Sequence, residues 1–149
     1  MEFPIRNRIS VDKYFLMLAK TAALRSTCLD KQVGCIIVNK FNIILATGYN
    51  GSPRGYLHCI DLGACVKDLS GMPAKCPSAH AEQNALIQCS NPFEIDRIYL
   101  TISPCIICTR MILNTSCNKV IFSSKHKHPE PYELWSEERR PDYWIYLEI

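Results

Sequence analysis

No stretch of this 149-residue chain reaches the roughly 20 apolar residues that a membrane-spanning helix needs. The first ten residues carry Glu2, Arg6 and Arg8 and lack the apolar run of a secretory signal. Charge of one sign is scarce too: 17 Lys and Arg against 14 Asp and Glu leave a net +3. That favours anionic ligands weakly and is too little for the basic stripe of a nucleic-acid binder. There is no internal repeat, low-complexity tract or linker. These absences lead to the expectation of one cytoplasmic, membrane-free domain over residues 1–149.

Cysteine, by contrast, is plentiful. Nine cysteines cannot all pair within the chain, and nothing points to an oxidising compartment, so metal binding is the stronger reading. Cys35 lies in the apolar run Val33–Val38 and reads as a buried thiol, as do Cys89 and Cys117.

Ser10 is expected to cap a helix running to about Ser26. Residues 33–38 read as a buried strand, 39–42 as a turn and 43–49 as a second strand, together a hairpin. Residues 50–77 show no periodicity and hold Gly51, Gly55, Gly63, Gly71, Pro53, Pro73, Pro77, Cys59, Cys65 and Cys76. A structureless segment of that length needs an organiser other than packing. Beyond it, 79–89 reads as a helix, 97–102 as a strand, 104–114 as a helix and 119–122 as a strand. A further helix is expected over 131–139, and 143–149 reads equally as strand or helix. The alternation predicts an α/β fold with helices flanking a sheet.

Two short motifs carry chemistry, His80-Ala81-Glu82 and Pro104-Cys105-Ile106-Ile107-Cys108. Each opens an expected helix. A catalytic zinc takes three N or S ligands and keeps a fourth position for water. His80, Cys105 and Cys108 supply three ligands, and helix N-termini favour the ionised thiols. Glu82, two residues from His80, is placed to carry protons without ligating. Either motif alone is weak, but the ordered pair H-x-E…P-C-x-x-C is the signature of zinc nucleobase deaminases. A purely structural zinc would need a fourth ligand and leave Glu82 without a role.

With these residues the chain resembles the cytidine deaminase-like superfamily, and within it the deoxycytidylate deaminases. The closer likeness rests on Gln32-Val33-Gly34, Thr47-Gly48-Tyr49-Asn50-Gly51-Ser52-Pro53-Arg54-Gly55, His58-Cys59, His80-Ala81-Glu82-Gln83-Asn84-Ala85 and Thr101-Ile102-Ser103-Pro104-Cys105. It implies a three-layer α/β/α sandwich with a mixed five-stranded sheet, and Zn²⁺-dependent hydrolysis of dCMP to dUMP and ammonia. It also implies a homohexamer, activation by dCTP with Mg²⁺ and inhibition by dTTP. Glu82 would serve as the catalytic proton carrier. Asn50, Gly51, Ser52, Arg54, His58, Ser103 and His126 would contact substrate or effector. Asn50-Gly51 also suits a tight turn, and Arg54 also suits a solvated loop. Some relatives carry a second, structural zinc, for which Cys28, Cys59, Cys65 and Cys76 are the expected ligands, with His58 as a replacement; free loop thiols are the alternative.

The chain departs from the family where many members have an Arg before the His-Ala-Glu motif; here the residues are Cys76-Pro77-Ser78-Ala79. Where relatives carry a rim Tyr, it has Ser123-Ser124-Lys125-His126-Lys127-His128. Three other readings therefore stand beside dCMP: a deaminase of both dCMP and dCTP, a tRNA or single-stranded DNA deaminase, and a zinc-stapled binding module without catalysis. Trp135 and Trp144 read as packing or interface residues.

Overall fold

The computed structural model describes residues 6–149; residues 1–5 of the charged N-terminal stretch lie outside the described residues. Helix α1 (Val11–Ala23) begins as expected, with the Ser10 hydroxyl accepting from the Lys13 N–H at 3.1 Å, which satisfies one of the orphan donors of the first turn. It stops at Ala23, short of Ser26, where the chain tightens into i→i+3 bonds from Arg25 and Ser26 to Ala22 and Ala23.

Strands β1 (Gly34–Val38) and β2 (Ile44–Tyr49) form the antiparallel hairpin. The turn closes on Asn39, whose side-chain oxygen accepts from Phe41 and Ile43, and on Asn42 at φ 64°. Residues 50–77 hold regular structure that their composition hides. These are helices α2 (Cys59–Leu62) and α3 (Val66–Ser70) and a 3₁₀ turn at Pro73–Lys75. Gly63 and Gly71 end the two helices in the left-handed region, a stop that glycine adopts without strain. Helices of four and five residues are too short to show a period.

Helix α4 (Ala81–Gln88), strand β3 (Arg97–Leu100), helix α5 (Ile106–Leu113) and strand β4 (Lys119–Phe122) follow. Helix α6 (Glu130–Glu138) and strand β5 (Trp144–Tyr146) complete the fold; the segment that read equally as strand or helix is a strand.

The sheet has the order β2-β1-β3-β4-β5. β1 runs antiparallel to both neighbours, while β3, β4 and β5 are parallel. Alternate side chains separate two cores. Ile36, Val38, Tyr99 and Ile121 face Phe15, Leu16 and Ala19 of α1. Cys35, Ile37, Ile98, Leu100, Val120 and Phe122 face Ala81 and Ala85 of α4, Ile112 of α5 and Trp135 of α6. One helix therefore covers one face and three cover the other, the three-layer α/β/α sandwich. Two close approaches need glycine. A Cβ on Gly34 would lie 1.8 Å from the Ala19 carbonyl oxygen, and one on Gly48 would lie 2.3 Å from that of Ala81.

Candidate active site

Because β1 alone is reversed, β1 begins at the sheet edge where β2, β3 and β4 end. Crevices beyond strand carboxyl ends are the usual ligand sites of such sheets. Val33 before β1, Asn50 after β2, Ile102, Ser103 and Cys105 after β3, and His126 after β4 all line one cavity of about 220 Å³. His80 reaches the same place because Gly51 and Ala79 form an antiparallel bridge, with N–H···O distances of 3.1 and 2.8 Å.

His80 and Cys105 are the N-caps of α4 and α5, so both helices aim their first turns into this crevice. The Gln83 side chain accepts from the His80 N–H at 2.8 Å, and Asn84 donates to the Tyr49 carbonyl at 2.8 Å. These bonds fix α4 to β2 and set the direction of the imidazole. The His80 Nδ1 lies 3.5 Å from the Cys105 sulfur and 3.3 Å from that of Cys108. Two ligands on one zinc at about 2.3 Å (S) and about 2.1 Å (N) and tetrahedral angles sit about 3.6 Å apart. Both N···S separations match that spacing to within about 0.3 Å, so the trio suits zinc. Among the described residues it is also the group of three or more His, Cys, Asp or Glu whose ligand atoms lie within 4.8 Å of one another.

Without a cation the trio divides its protons: the bond to Cys105 and burial push the Cys108 thiol up, so binding a metal would displace that proton. The Cys108 thiol and the His80 imidazole donate to the Cys105 sulfur and hold it as a thiolate, down to about 3. His80 is raised, chiefly by its bond to that sulfur. Glu82 is buried, 4% exposed, and lines the cavity. Burial pushes its carboxyl up to about 7, so it exchanges a proton near neutral pH.

Of the other expected contacts, Asn50, Ser103 and His126 line the cavity, whereas Gly51, Ser52, Arg54 and His58 do not. Asn50 is largely committed to the backbone. Its Oδ1 accepts from the Val33 N–H at 2.9 Å, and its Nδ2 donates to the Lys31 carbonyl at 2.8 Å. One amide proton and one lone pair remain for a ligand. Cys28, Cys59, Cys65 and Cys76 are not gathered into a second such ligand group. Cys59 and Cys65 are buried, and Cys28 and Cys76 line the cavity wall.

The sequence reading missed the cations at the mouth, Lys31 and Lys67, and the ion pair that joins Lys67 to Asp30. Lys31 stands just before the Gln32-Val33-Gly34 motif and could have been found there. Lys67 belongs to a segment without a readable pattern.

The zinc trio with a buried carboxylate beside it is the feature that comparison tests. The family described as "Cytidine and deoxycytidylate deaminase zinc-binding region" matches residues 9–124. This chain belongs to that family. Within the cytidine and deoxycytidylate deaminase family, it is 36% identical to the deoxycytidylate deaminase of Saccharomyces cerevisiae over 132 residues, 83% of this chain and 40% of that protein. It is 38% identical to ComE operon protein 2 of Bacillus subtilis, over 87% of this chain and 68% of that one. The deoxycytidylate deaminase of Mycobacterium phage D29 is 36% identical over 74% of this chain and 92% of its own length. The dCMP deaminase of cyanophage S-TIM5, solved with dCMP and dUMP, superposes with a TM-score of 0.73 at 25% identity, covering 97% and 100% of the two chains. The chain thus spans well under half of the yeast protein it matches and nearly all of the phage ones. Among the described residues no helix is long and apolar enough to cross a membrane.

Proposed function

We propose that the chain is a cytoplasmic, single-domain zinc hydrolase that converts dCMP to dUMP and ammonia. The observation that carries this reading is the buried Glu82 in one cavity with His80 and Cys105, whose trio Cys108 completes. A zinc ion on that trio supplies a water that ionises near neutral pH. The chain's own residues do the rest. Glu82, with its carboxyl near 7, would take a proton from the attacking water and give it to the ring nitrogen N3 as the oxygen bonds to C4; it would then take the proton of the new C4 hydroxyl and pass it to the amino group, which leaves as ammonia when the C4–N4 bond breaks. The free amide proton of Asn50 orients the sugar. Ser103, buried and accepting from the His126 N–H at 2.7 Å, forms part of the cavity wall.

Lys31 and Lys67 stand at the mouth of the cavity and suit the 5′-phosphate. The Lys31 backbone is pinned by Asn50 and by the Ser26 hydroxyl at 3.4 Å, so its side chain leaves a fixed point. In Lys31→Met/Lys67→Met, KM for dCMP rises about tenfold or more, the loss of charge-assisted bonds, while kcat/KM for deoxycytidine changes less than about twofold. An equal effect on both substrates would remove the phosphate from this end of the cavity.

The reading includes activation by dCTP with Mg²⁺, inhibition by dTTP, and a hexamer. All three rest on the family resemblance. The test is turnover of dCMP, dCTP, CMP, deoxycytidine and a cytosine-containing oligonucleotide, each with and without dCTP–Mg²⁺ or dTTP. Fast dCMP turnover that dCTP raises and dTTP lowers supports the whole reading. Turnover of the oligonucleotide alone replaces it.

A second, structural zinc on Cys28, Cys59, Cys65 and Cys76 is part of the proposal. What supports it is adjacency: Ile60 donates to the Thr27 carbonyl at 3.1 Å, Lys67 pairs with Asp30, and Cys28 and Cys76 share the cavity wall. Metal analysis decides it. Two zinc ions per chain, reduced to one in Cys65→Ser, support the site; a single zinc that Cys65→Ser leaves in place removes it.

A further inference from the structure

One corner of the catalytic cavity is apolar, and the polar groups beside it are already matched. Val33 stands one residue before β1 and Asn50 one residue after β2. The register that pairs Gly34 with Tyr49 sets these two opposite each other. The Asn50 N–H donates to the Val33 carbonyl at 3.2 Å, and the Asn50 Oδ1 accepts from the Val33 N–H at 2.9 Å. Residues opposed across an antiparallel pair project to the same face, with Cβ atoms about 5 Å apart. That face is the one that holds the site. Val33 packs against the cluster that contains Cys35, Ala81 and Ala85, and Val33 and Asn50 line the cavity with His80 and Glu82.

A ligand that reaches this corner finds little hydrogen-bonding capacity. The Asn50 Nδ2 gives one proton to the Lys31 carbonyl, which also accepts from the Ser26 hydroxyl. The Val33 N–H and carbonyl are both bonded to Asn50. The next N–H, of Gly34, donates to the Thr101 hydroxyl at 3.1 Å. What remains is one amide proton and one lone pair of Asn50, which a single sugar hydroxyl, donor and acceptor at once, takes up. The hydroxyl-bearing residues of the lining, Ser78 and Ser103, are engaged elsewhere: Ser78 donates to the Ala79 carbonyl at 3.3 Å, and Ser103 accepts from the His126 N–H.

A second hydroxyl on the neighbouring sugar carbon therefore has no partner at this corner. It would lie against the isopropyl group of Val33, out of water and unpaired, which weakens binding roughly 10–100-fold. Val33 does not adapt readily, because a β-branched side chain is stiff at χ1 and this one is held between the core cluster and the cavity.

We propose that Val33 makes the catalytic cavity selective for deoxyribonucleotides, its isopropyl group filling the place beside Asn50 where a ribose carries its 2′-hydroxyl. The proposal rests on the reading of the cavity as a cytosine-nucleotide site with the sugar at Asn50. It adds the sugar class and the residue that sets it. Asn50 holds the hydroxyl that both sugars share, and Val33 rejects the one that only ribose has.

The test is calorimetric binding of dUMP and UMP, the products of the deoxy and ribo substrates, to the zinc-loaded full chain, so that no turnover enters the measurement. The ratio of the two dissociation constants within one variant is its own control, because altered folding or phosphate contact moves both nucleotides together. The wild type should hold dUMP about tenfold or more tighter than UMP. Val33→Thr keeps the shape and offers a hydroxyl, and Val33→Ala admits a water that can bridge. In each the ratio should fall to within about threefold of unity, and the ratio of kcat/KM for dCMP over CMP should follow it. Two variants keep the test open if one of them folds poorly. Equal binding of the two nucleotides by the wild type, or a ratio that neither variant lowers, overturns the role of Val33 and leaves the dCMP reading standing. A wild type that binds neither nucleotide overturns the dCMP reading and this proposal with it.

Discussion

Replacing Glu82 by Gln should abolish turnover while leaving zinc bound. Gln keeps the volume and can still hydrogen-bond, but it cannot take up or release a proton. General acid–base groups contribute roughly 10²–10⁴ in rate, and Glu82 is asked to act on both sides of the reaction, so kcat should drop by about 10³ or more. The ligands His80, Cys105 and Cys108 are untouched, so the metal content of the trio should be unchanged by atomic emission. A variant that keeps a tenth of the activity would remove Glu82 from the chemistry.

The same variant should change the pH dependence of stability in the metal-free protein. Burial raises the Glu82 carboxyl from 4.5 to about 7, so the folded chain holds a proton that the unfolded chain gives up. That contribution is complete below about 4.5 and is lost as the pH rises through about 7. Across that window the wild type should lose on the order of 3 kcal/mol that Glu82→Gln does not lose. Urea unfolding of both proteins at several pH values measures the difference, and parallel curves would contradict it.

Gly48→Ala carries the second large effect, and it acts through the backbone. The added methyl would stand 2.3 Å from the Ala81 carbonyl oxygen and 2.7 Å from the Ala85 nitrogen. Neither atom can swing aside, because both belong to the α4 main chain. The helix must therefore lift from β2, straining the Asn84–Tyr49 bond and moving His80 and Glu82 with it. Overpacking of this kind costs about 3 kcal/mol or more, and in a chain of this size the Tm should fall by roughly 10 °C. Zinc affinity should fall as well, because one ligand of the trio rides on the displaced helix. Gly55→Ala is the control. Its φ is 79° but nothing lies within 4 Å of the added atom, so it should cost only about 1 kcal/mol and leave zinc affinity unchanged. Similar losses in the two variants would show that packing of α4 on β2 does not hold the ligand.

What could be read from the sequence was local or strongly patterned. Ser10 announced the first helix, the Val33–Val38 run announced an interior strand, and His80, Cys105 and Cys108 announced the trio with Glu82 beside it. The spacing of residues within one helical turn constrains where their side chains can point. The rest depended on long-range placement. Lys67 reaches the cavity mouth only because α3 folds against Asp30, and a five-residue helix carries no period to predict it. Arg54 shared a motif with Asn50 and His58 stood in the next one, yet Asn50 alone of the three lines the cavity, because the chain turns away at Gly51 to pair with Ala79. The strand at Trp144–Tyr146 was ambiguous because three residues of mixed burial look the same in either state.

The Asn50 clamp also bears on how the protein ages. Asn followed by Gly is the dipeptide in which the next backbone nitrogen most readily attacks the side-chain amide and turns it into an acid. Here that nitrogen, of Gly51, is bonded to Ala79, and the amide is bonded at both ends to Val33 and Lys31. The folded chain therefore shields its own weakest amide, while each excursion to the unfolded state exposes it. Conversion to Asp would lose the donor that Lys31 accepts from and set a carboxylate against its carbonyl, so the altered molecule should refold poorly. Peptide mapping after equal incubation of folded and urea-unfolded samples should find the acid at residue 50 mainly in the unfolded one. Each unfolding event then carries a small chance of permanent retirement, and the hydrogen bonds that shape the substrate cavity also set the working lifetime of the molecule.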